Sequence, residues 1–171
     1  MERAHKPVKE ISGCSGCPMQ RLFPENLFVP PQVGKSLKLA VGEAPGEEEA
    51  IVGKPFVGGA GRWLDSILRK ARIPRDELTI LNLIQCRPPD NAFPTDPEAR
   101  RYISSEDAQH SVKHCVREHV LPVLESRPWQ VVYLFGEKPL RWVGGKTDGI
   151  HRWRGCPIQV ETEDVRRRVT E

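Results

Sequence analysis

The sequence predicts a layered α/β domain built on a parallel sheet, and three observations predict it. Apolar runs of strand length recur at 38–42, 78–86 and 131–135. Stretches with helical periodicity or helix-start chemistry follow them at 62–72, 105–125 and 137–143. The order, strand then helix three times over, is that of parallel strands joined by crossover helices. Ligands of such sheets gather beyond the C-terminal ends of the strands, which singles out the loops after Val41, Leu83 and Phe135.

Residues 1–36 read as loop. Cys14-Ser-Gly-Cys17-Pro18 is followed by Pro24, Pro30, Pro31 and Gly34, the residues that punctuate regular structure. Leu39-Ala40-Val41 is the apolar centre of the first strand, and a polar loop rich in Gly and Pro runs on to Gly61. Trp63, Leu64, Ile67, Leu68 and Ala71 share one face at the helical period, and Pro74 ends that helix. The second strand begins at Leu78 and continues through Leu83 and Ile84 to Cys86. Thr95-Asp96-Pro97-Glu98 has the form of a capping box with Pro at the first helical position. Val112, Val116, Val120, Val123 and Leu124 line one face of the longer helix over 105–125, with Pro122 as a kink. The third strand closes on Gly136, the short helix after it carries Pro139 in its first turn, and 157–160 is expected to add a last short strand.

The 171 residues suit a single domain, since domains run to ~100–200 residues. A hydrophobic share of 38% together with 14 glycines is enough to bury a core. No apolar run approaches the ~18 residues of a spanning helix. Residues 1–9 are charged with no apolar stretch behind them, unlike a secretory signal. Membrane, secreted, collagen-like and disordered classes are therefore not expected, and a cytoplasmic protein is. Five cysteines in such a chain argue for metal binding over a disulfide framework. The net charge of +3 and pI of 8.7 fall short of the pI above about 9 that marks a dedicated nucleic-acid binder. They permit a DNA partner without demanding one.

After the first strand comes Gly42-Glu43-Ala44-Pro45-Gly46-Glu47-Glu48-Glu49, then Gly53-Lys54-Pro55-Phe56-Val57-Gly58-Gly59-Ala60-Gly61. Glycines let backbone N–H groups approach a ligand, as in a phosphate cradle. A P-loop does not fit, because Gly53-Lys54 is followed by Pro55 and Glu48 stands where a glycine is required. The G-x-G-x-x-G dinucleotide pattern fails at Leu64, its third glycine position. What remains is a carboxylate at a strand end, able to orient or deprotonate a water, and a Phe in a rigid Pro/Gly frame. Such a ring can stack on a nucleobase, an interaction worth ~1–3 kcal/mol. The residues alone also fit a core Phe56 and a solvated Glu43.

The stretch GEAPGEEEAIVGKPFVGGAGRWLD resembles the first motif of the family-4 uracil-DNA glycosylases, the iron–sulfur branch of the uracil-DNA glycosylase superfamily. GE-x-PG-x-x-E is followed by G-x-PFVG-x-AG-x-x-LD in the family's order. The resemblance extends over nearly all of the chain. It implies a three-layer α/β/α sandwich with a central, mostly parallel four-stranded sheet. It also implies a site in which Glu43 is catalytic and Gly42, Ala44, Gly46, Phe56 and Asn82 bind the substrate.

Asn82-Leu-Ile-Gln-Cys86-Arg87-Pro88-Pro89 resembles the family's second-strand segment, N-x-x-x-CRPP. An Asn amide offers an acceptor and a donor on one group. Uracil presents an N3–H donor beside the O4 acceptor, and cytosine presents an acceptor beside an amino donor, so one fixed amide fits the first and mismatches the second. Rejection by an unpaired buried polar group reaches ~10⁴-fold. Without the resemblance, Asn82 reads equally as a strand-end turn residue.

Cys14-x-x-Cys17 is a chelating pair. Four thiolates suit either a 4Fe–4S cluster or a structural zinc, and the spacing does not separate them. The resemblance implies that Cys14, Cys17, Cys86 and Cys115 hold a 4Fe–4S cluster, with 1–36 as an N-terminal cluster-binding loop region and the cluster as a structural staple. Cys156 has no place in the pattern. The stretch between Cys86 and Cys115 is longer than the family usually shows, with 100–110 as the extra segment, and His110, His114 and His119 are candidates to substitute for or compete with Cys115.

The family's other active-site motif, a His-Pro pair after a final strand, does not occur in the sequence. The chain is therefore expected to be C-terminally truncated, with that last strand missing. The implied activity is hydrolysis of the N-glycosidic bond of uracil in DNA, single- or double-stranded, by a monomer with no membrane partner, with Lys54, Arg62 and Arg87 as candidate phosphate contacts. A cluster-bearing DNA-binding module without glycosylase activity and a zinc-stapled nucleotide-binding domain are the alternatives.

Overall fold

The computed structural model describes residues 13–170. The readings of residues 1–9, and the first part of the 1–36 loop region, lie outside the described residues. A short helix α1 (Pro18–Leu22) follows the cysteine pair, and β1 (Lys38–Gly42) opens the sheet. Two helices follow, α2 (Glu47–Val52) and α3 (Gly59–Lys70), before β2 (Leu78–Asn82). Next come α4 (Ser105–Cys115), a π-helical turn (Val116–Val120) and α5 (Leu121–Glu125), forming one continuous rod. The strand β3 (Val131–Leu134) and the helices α6 (Glu137–Trp142), α7 (Ile150–Trp153) and α8 (Thr162–Thr170) complete the order.

Among the described residues the sheet has three parallel strands in the order β2-β1-β3. Side-chain alternation along each strand builds two cores. Leu39, Val41 and Leu81, with Val132 and Leu134, face Val112, Val116, Val120 and Leu124 of the α4–α5 rod and Val165 and Val169 of α8. Ala40, Leu78 and Ile80, with Tyr133, face Leu64 and Leu68 of α3 on the other side. The result is a helix–sheet–helix sandwich. β1 lies between the other two strands, and its Leu39, Ala40 and Val41 are fully buried.

Several boundaries differ from the sequence reading, each for a local reason. The polar run after Gly46 is helical, because Glu47, Glu48 and Glu49 occupy the first turn of α2, where carboxylates complement the helix dipole. α3 starts at Gly59, and the face it buries is the narrow stripe of Gly61, Leu64 and Leu68. Trp63, one residue round the helix, is 71% exposed. β2 ends at Asn82, since the chain beyond it turns to pair Cys86 with Phe28 in an antiparallel bridge. The cap of α4 is Ser104, whose hydroxyl accepts from the Asp107 N–H at 3.0 Å. Asp96 instead heads a short 3₁₀ turn (Pro97–Arg101) with no side-chain cap and pairs with Lys138. Residues 157–160 form no strand: Val160 docks on the main core and the Ile158 side chain approaches Gly144. α8 was hidden by its charge, its buried stripe being only Val165 and Val169. No helix among the described residues is long and apolar enough to cross a membrane.

Leu81 is fully buried in the larger core. Leu81→Ala is expected to destabilise the fold by about 2–5 kcal/mol through lost burial and a residual cavity, read as a lower urea midpoint with an unchanged slope.

Candidate functional site

Parallel pairing places Gly42, the last residue of β1, directly beside Asn82, the last residue of β2. A Cβ on residue 42 would lie 2.5 Å from the Asn82 Oδ1 and 2.5 Å from both Cε2 and Cζ of Phe56. The missing side chain is therefore what lets the amide and the ring converge on one spot. A pocket of about 560 Å³ opens there, lined by Glu43, Ala44, Gly46, Phe56, Asn82 and Phe135 among others. The five predicted residues other than Gly42 line this pocket, and Gly42 packs against its Asn82 and Phe56.

Asn82 is 2% exposed. Its backbone carbonyl accepts from Gln85 Nε2 at 2.5 Å, and its side-chain amide has no partner among the described residues. An amide desolvated by the protein and left unpaired is costly unless a ligand completes it.

Phe56 has φ +55°, the left-handed region that a bulky residue rarely enters. The strain is held from two sides. Arg75 Nη2 donates to the carbonyls of Pro55 and Phe56, both at 2.9 Å, and its Nη1 donates to Asp65 at 2.5 Å. The buried Glu49 carboxylate accepts from the N–H groups of Gly46 at 3.0 Å, Val57 at 2.9 Å and Gly58 at 2.7 Å. The α3 helix closes on the same point, since a Cβ at Gly61 would lie 1.9 Å from the Phe56 carbonyl oxygen. The ring tilts at 59° against Phe135, 6.0 Å away. Because the Gly46 N–H is engaged by Glu49, it is not free to hold a ligand.

Glu43 is half-buried. Its Oε1 accepts from the Lys138 N–H at 3.3 Å in the first turn of α6. Gly136, at φ +108°, leaves room for it: a Cβ there would lie 2.3 Å from Oε1. One oxygen is thus anchored at the end of β3. Of the three candidate phosphate contacts, Arg62 pairs with Glu48 at 2.9 Å and Arg87 with Glu47 at 3.7 Å. Lys54 has no ion pair among the described residues.

A second site lies behind β2. Cys14, Cys17, Cys86 and Cys115, from three distant parts of the chain, line one small cavity of about 20 Å³ with Gln85, His114 and His119. Cys115 Sγ accepts from the Gln85 N–H at 3.3 Å. The π-helical turn shifts the helix register so that His119 Nε2 sits 3.6 Å from Cys14 Sγ while Val116 and Val120 stay buried. His114 Nε2 lies 2.9 Å from the Gly13 carbonyl. His110 lines a second, open pocket together with Cys14 and Cys17 and does not line the cavity of the four cysteines, and Cys156 is exposed.

Burial and the nearby Cys17 and Cys14 thiols push Cys86 up to about 12. Burial, then Cys86, pushes Cys115 well up, and burial, then Cys17, raises Cys14. Burial, then His114, lowers His119. Such a set is a group of mutually repelling thiols that ionises only against positive charge, as a metal centre supplies. Among the described residues no three His, Cys, Asp or Glu side chains are drawn tightly enough together to hold a single metal ion.

Sequence reasoning missed Glu49, Arg75, Phe135 and Gln85. Glu49 carried a signal, a Gly-x-x-Glu spacing at a helix start. Phe135 follows β3 at its C-terminal end, where ligands gather. Arg75 and Gln85 carried none.

The family model of the uracil DNA glycosylase superfamily matches residues 31–165. The chain is similar to the type-4 uracil-DNA glycosylase of Thermotoga maritima, 40% identical over 151 residues, covering 88% of this chain and 71% of that protein. It is similar to the type-4 uracil-DNA glycosylase of Archaeoglobus fulgidus, 35% identical over 102 residues, covering 59% of this chain and 50% of that protein. The type-4 uracil-DNA glycosylase of Sulfurisphaera tokodaii is 35% identical over 99 residues, covering 57% and 44% respectively.

Two outcomes follow from this geometry. Gly42→Ala is expected to displace the Phe56 ring or the Asn82 amide and to cost about 1–3 kcal/mol of stability, visible in a crystal structure of the variant and in its urea midpoint. For reduced, metal-free protein, the unfolded thiols titrate near 9.0 and the folded Cys86 near 12. The folded state therefore binds more protons in that window, and stability falls as pH rises through it. Urea midpoints compared on the two sides of pH 9.0 should drop on the alkaline side; a flat profile would contradict the burial of these thiols.

Proposed function

The chain belongs to the uracil DNA glycosylase superfamily, and from that premise we propose that it hydrolyses the N-glycosidic bond of uracil in DNA, leaving an abasic site for repair. The observation that carries the proposal is the convergence of the Asn82 amide and the Phe56 ring over Gly42. A uracil flipped out of the stack, at a cost of a few kcal/mol, lies flat on Phe56 with its polar edge against Asn82. The Asn82 side chain offers a donor to O4 and an acceptor to N3–H, which cytosine mismatches. Phe135 and the walls of the pocket strip water from the base, so an unmatched edge has nothing else to bond.

Bond cleavage leaves a uracil anion and a cationic, oxocarbenium-like sugar. Glu43, fixed through Oε1 by the Lys138 N–H, keeps its other oxygen available to hold a water or to face the positive sugar. The Arg62–Glu48 pair is exposed, and Arg87 of the Arg87–Glu47 pair is half-buried. Exposed pairs are worth little, so a DNA phosphate can compete for Arg62.

We further propose that Cys14, Cys17, Cys86 and Cys115 hold a 4Fe–4S cluster. Four thiols from three parts of the chain around one cavity form the soft, all-sulfur donor set that a 4Fe–4S cluster takes. When bound, the cluster supplies a structural cross-link. The cysteines tie the N-terminal loop to the exit of β2 and the end of α4, and uracil hydrolysis needs no electron from them. The protein is expected to act as a cytoplasmic monomer.

The test is single-turnover cleavage of uracil-containing single-stranded and duplex DNA under reducing conditions, beside iron and sulfide analysis. Asn82→Ala is expected to lose ~10²-fold or more in rate, as for other groups that polarise the reacting centre, with Glu43→Ala also impaired. Binding of uracil DNA without base release would leave only a DNA-binding module, and zinc in place of iron would overturn the cluster assignment.

A further inference from the structure

We infer that Gln85 is a positioning residue that aims Asn82 at the base, anchored in turn on the thiol cavity; the inference rests on the proposed uracil recognition. Asn82 has no side-chain hydrogen-bond partner among the described residues, so its amide is placed by its backbone and by its packing over Gly42. β1 holds that backbone on one side, through the pairing of Gly42 with Asn82 and through the Leu83 N–H donating to the Gly42 carbonyl at 2.8 Å. The remaining hold is the bond from Gln85 Nε2 to the Asn82 carbonyl, at 2.5 Å.

Gln85 itself has little freedom. It is 1% exposed. Its N–H donates to Cys115 Sγ at 3.3 Å, and its carbonyl accepts from the Val29 N–H at 2.7 Å. Its side-chain Oε1 is buried without a partner, while the residue lines the cavity of the four cysteines. An apolar side chain would fill this space without leaving that oxygen bare, a cost usually met only where the group has work to do. Here the backbone N–H of Gln85 bonds a cysteine of one site, and its side-chain N–H bonds the backbone of the recognition residue of the other. Gln85 touches no substrate; it acts through Asn82.

The experiment compares wild-type protein with Gln85→Leu and Gln85→Met, both of which keep the volume and remove the donor. Each is measured for iron and sulfide content. Each is also measured for binding to an oligonucleotide carrying 2′-fluoro-2′-deoxyuridine, whose glycosidic bond resists cleavage, and to the same strand with cytosine at that position. The uracil strand should bind about tenfold more weakly to both variants, the scale of one buried hydrogen bond. Cytosine binding and iron content should stay unchanged, so the uracil-to-cytosine ratio falls. A purely structural role would not move that ratio alone. An unchanged ratio, a parallel loss on both strands, or a loss that appears only together with loss of iron overturns the inference. Wild-type protein with no preference for uracil overturns the underlying reading instead.

Discussion

The buried carboxylate of Glu49 is the constraint on which the pocket depends. It gathers three backbone N–H groups, two from the loop carrying Phe56 and one from the turn after β1. Hydrogen bonds to a charged group are worth about 1.5–3 kcal/mol each, whereas a bulky residue in a left-handed conformation costs on the order of 1–3 kcal/mol. The clamp therefore outweighs the strain of Phe56 and leaves its ring fixed before any ligand arrives. Arg75 performs the converse task from the other side, satisfying the two carbonyls that the same turn exposes. A ring preset in this way loses little further freedom on stacking, which is where the affinity of a preorganised site comes from.

The sheet supplies the other half of the geometry. In-register parallel pairing ends β1 and β2 at the same level, so a glycine and an amide from residues forty positions apart become neighbours. β3 ends on Gly136 beside the Glu43 carboxylate. The strand ends thus bring the Asn82 amide and the Glu43 carboxylate to one edge, while the apolar faces of the same strands lie in two separate cores. A rigid floor of this kind positions polar groups more accurately than loops alone.

Behind that edge, the cysteines do for the N-terminal loop what Glu49 does for the Phe56 loop. The N-terminal turn packs into a small core of Cys17, Met19, Ala99, Ile103 and Ala108, whereas the chain leaving β2 and the end of α4 reach the main core through Leu83, Ile84, Val112 and Cys115. The cross-link through four sulfurs proposed above would tie these parts of the chain together. The π-helical turn fits this arrangement: it directs His119 toward Cys14 without removing its neighbouring valines from the main core.

Much of this was legible in the linear chain. The first and third strands, the start of the second, the face of α3 at Leu64 and Leu68 and the rod over 105–125 follow from periodicity and turn chemistry, and the residues now lining the pocket were legible through the resemblance of their motif to a known family. These are local properties, set by which side chains sit within a few positions of each other. Tertiary structure alone decided that Trp63 faces water, that 157–160 docks as irregular chain, that Arg75 and Glu49 brace Phe56, and that Gln85 stands between two sites. The reason is physical: a hydrogen bond between a side chain and a backbone group leaves no periodic trace, and its partner is chosen only when the packed chain brings the two within about 3 Å.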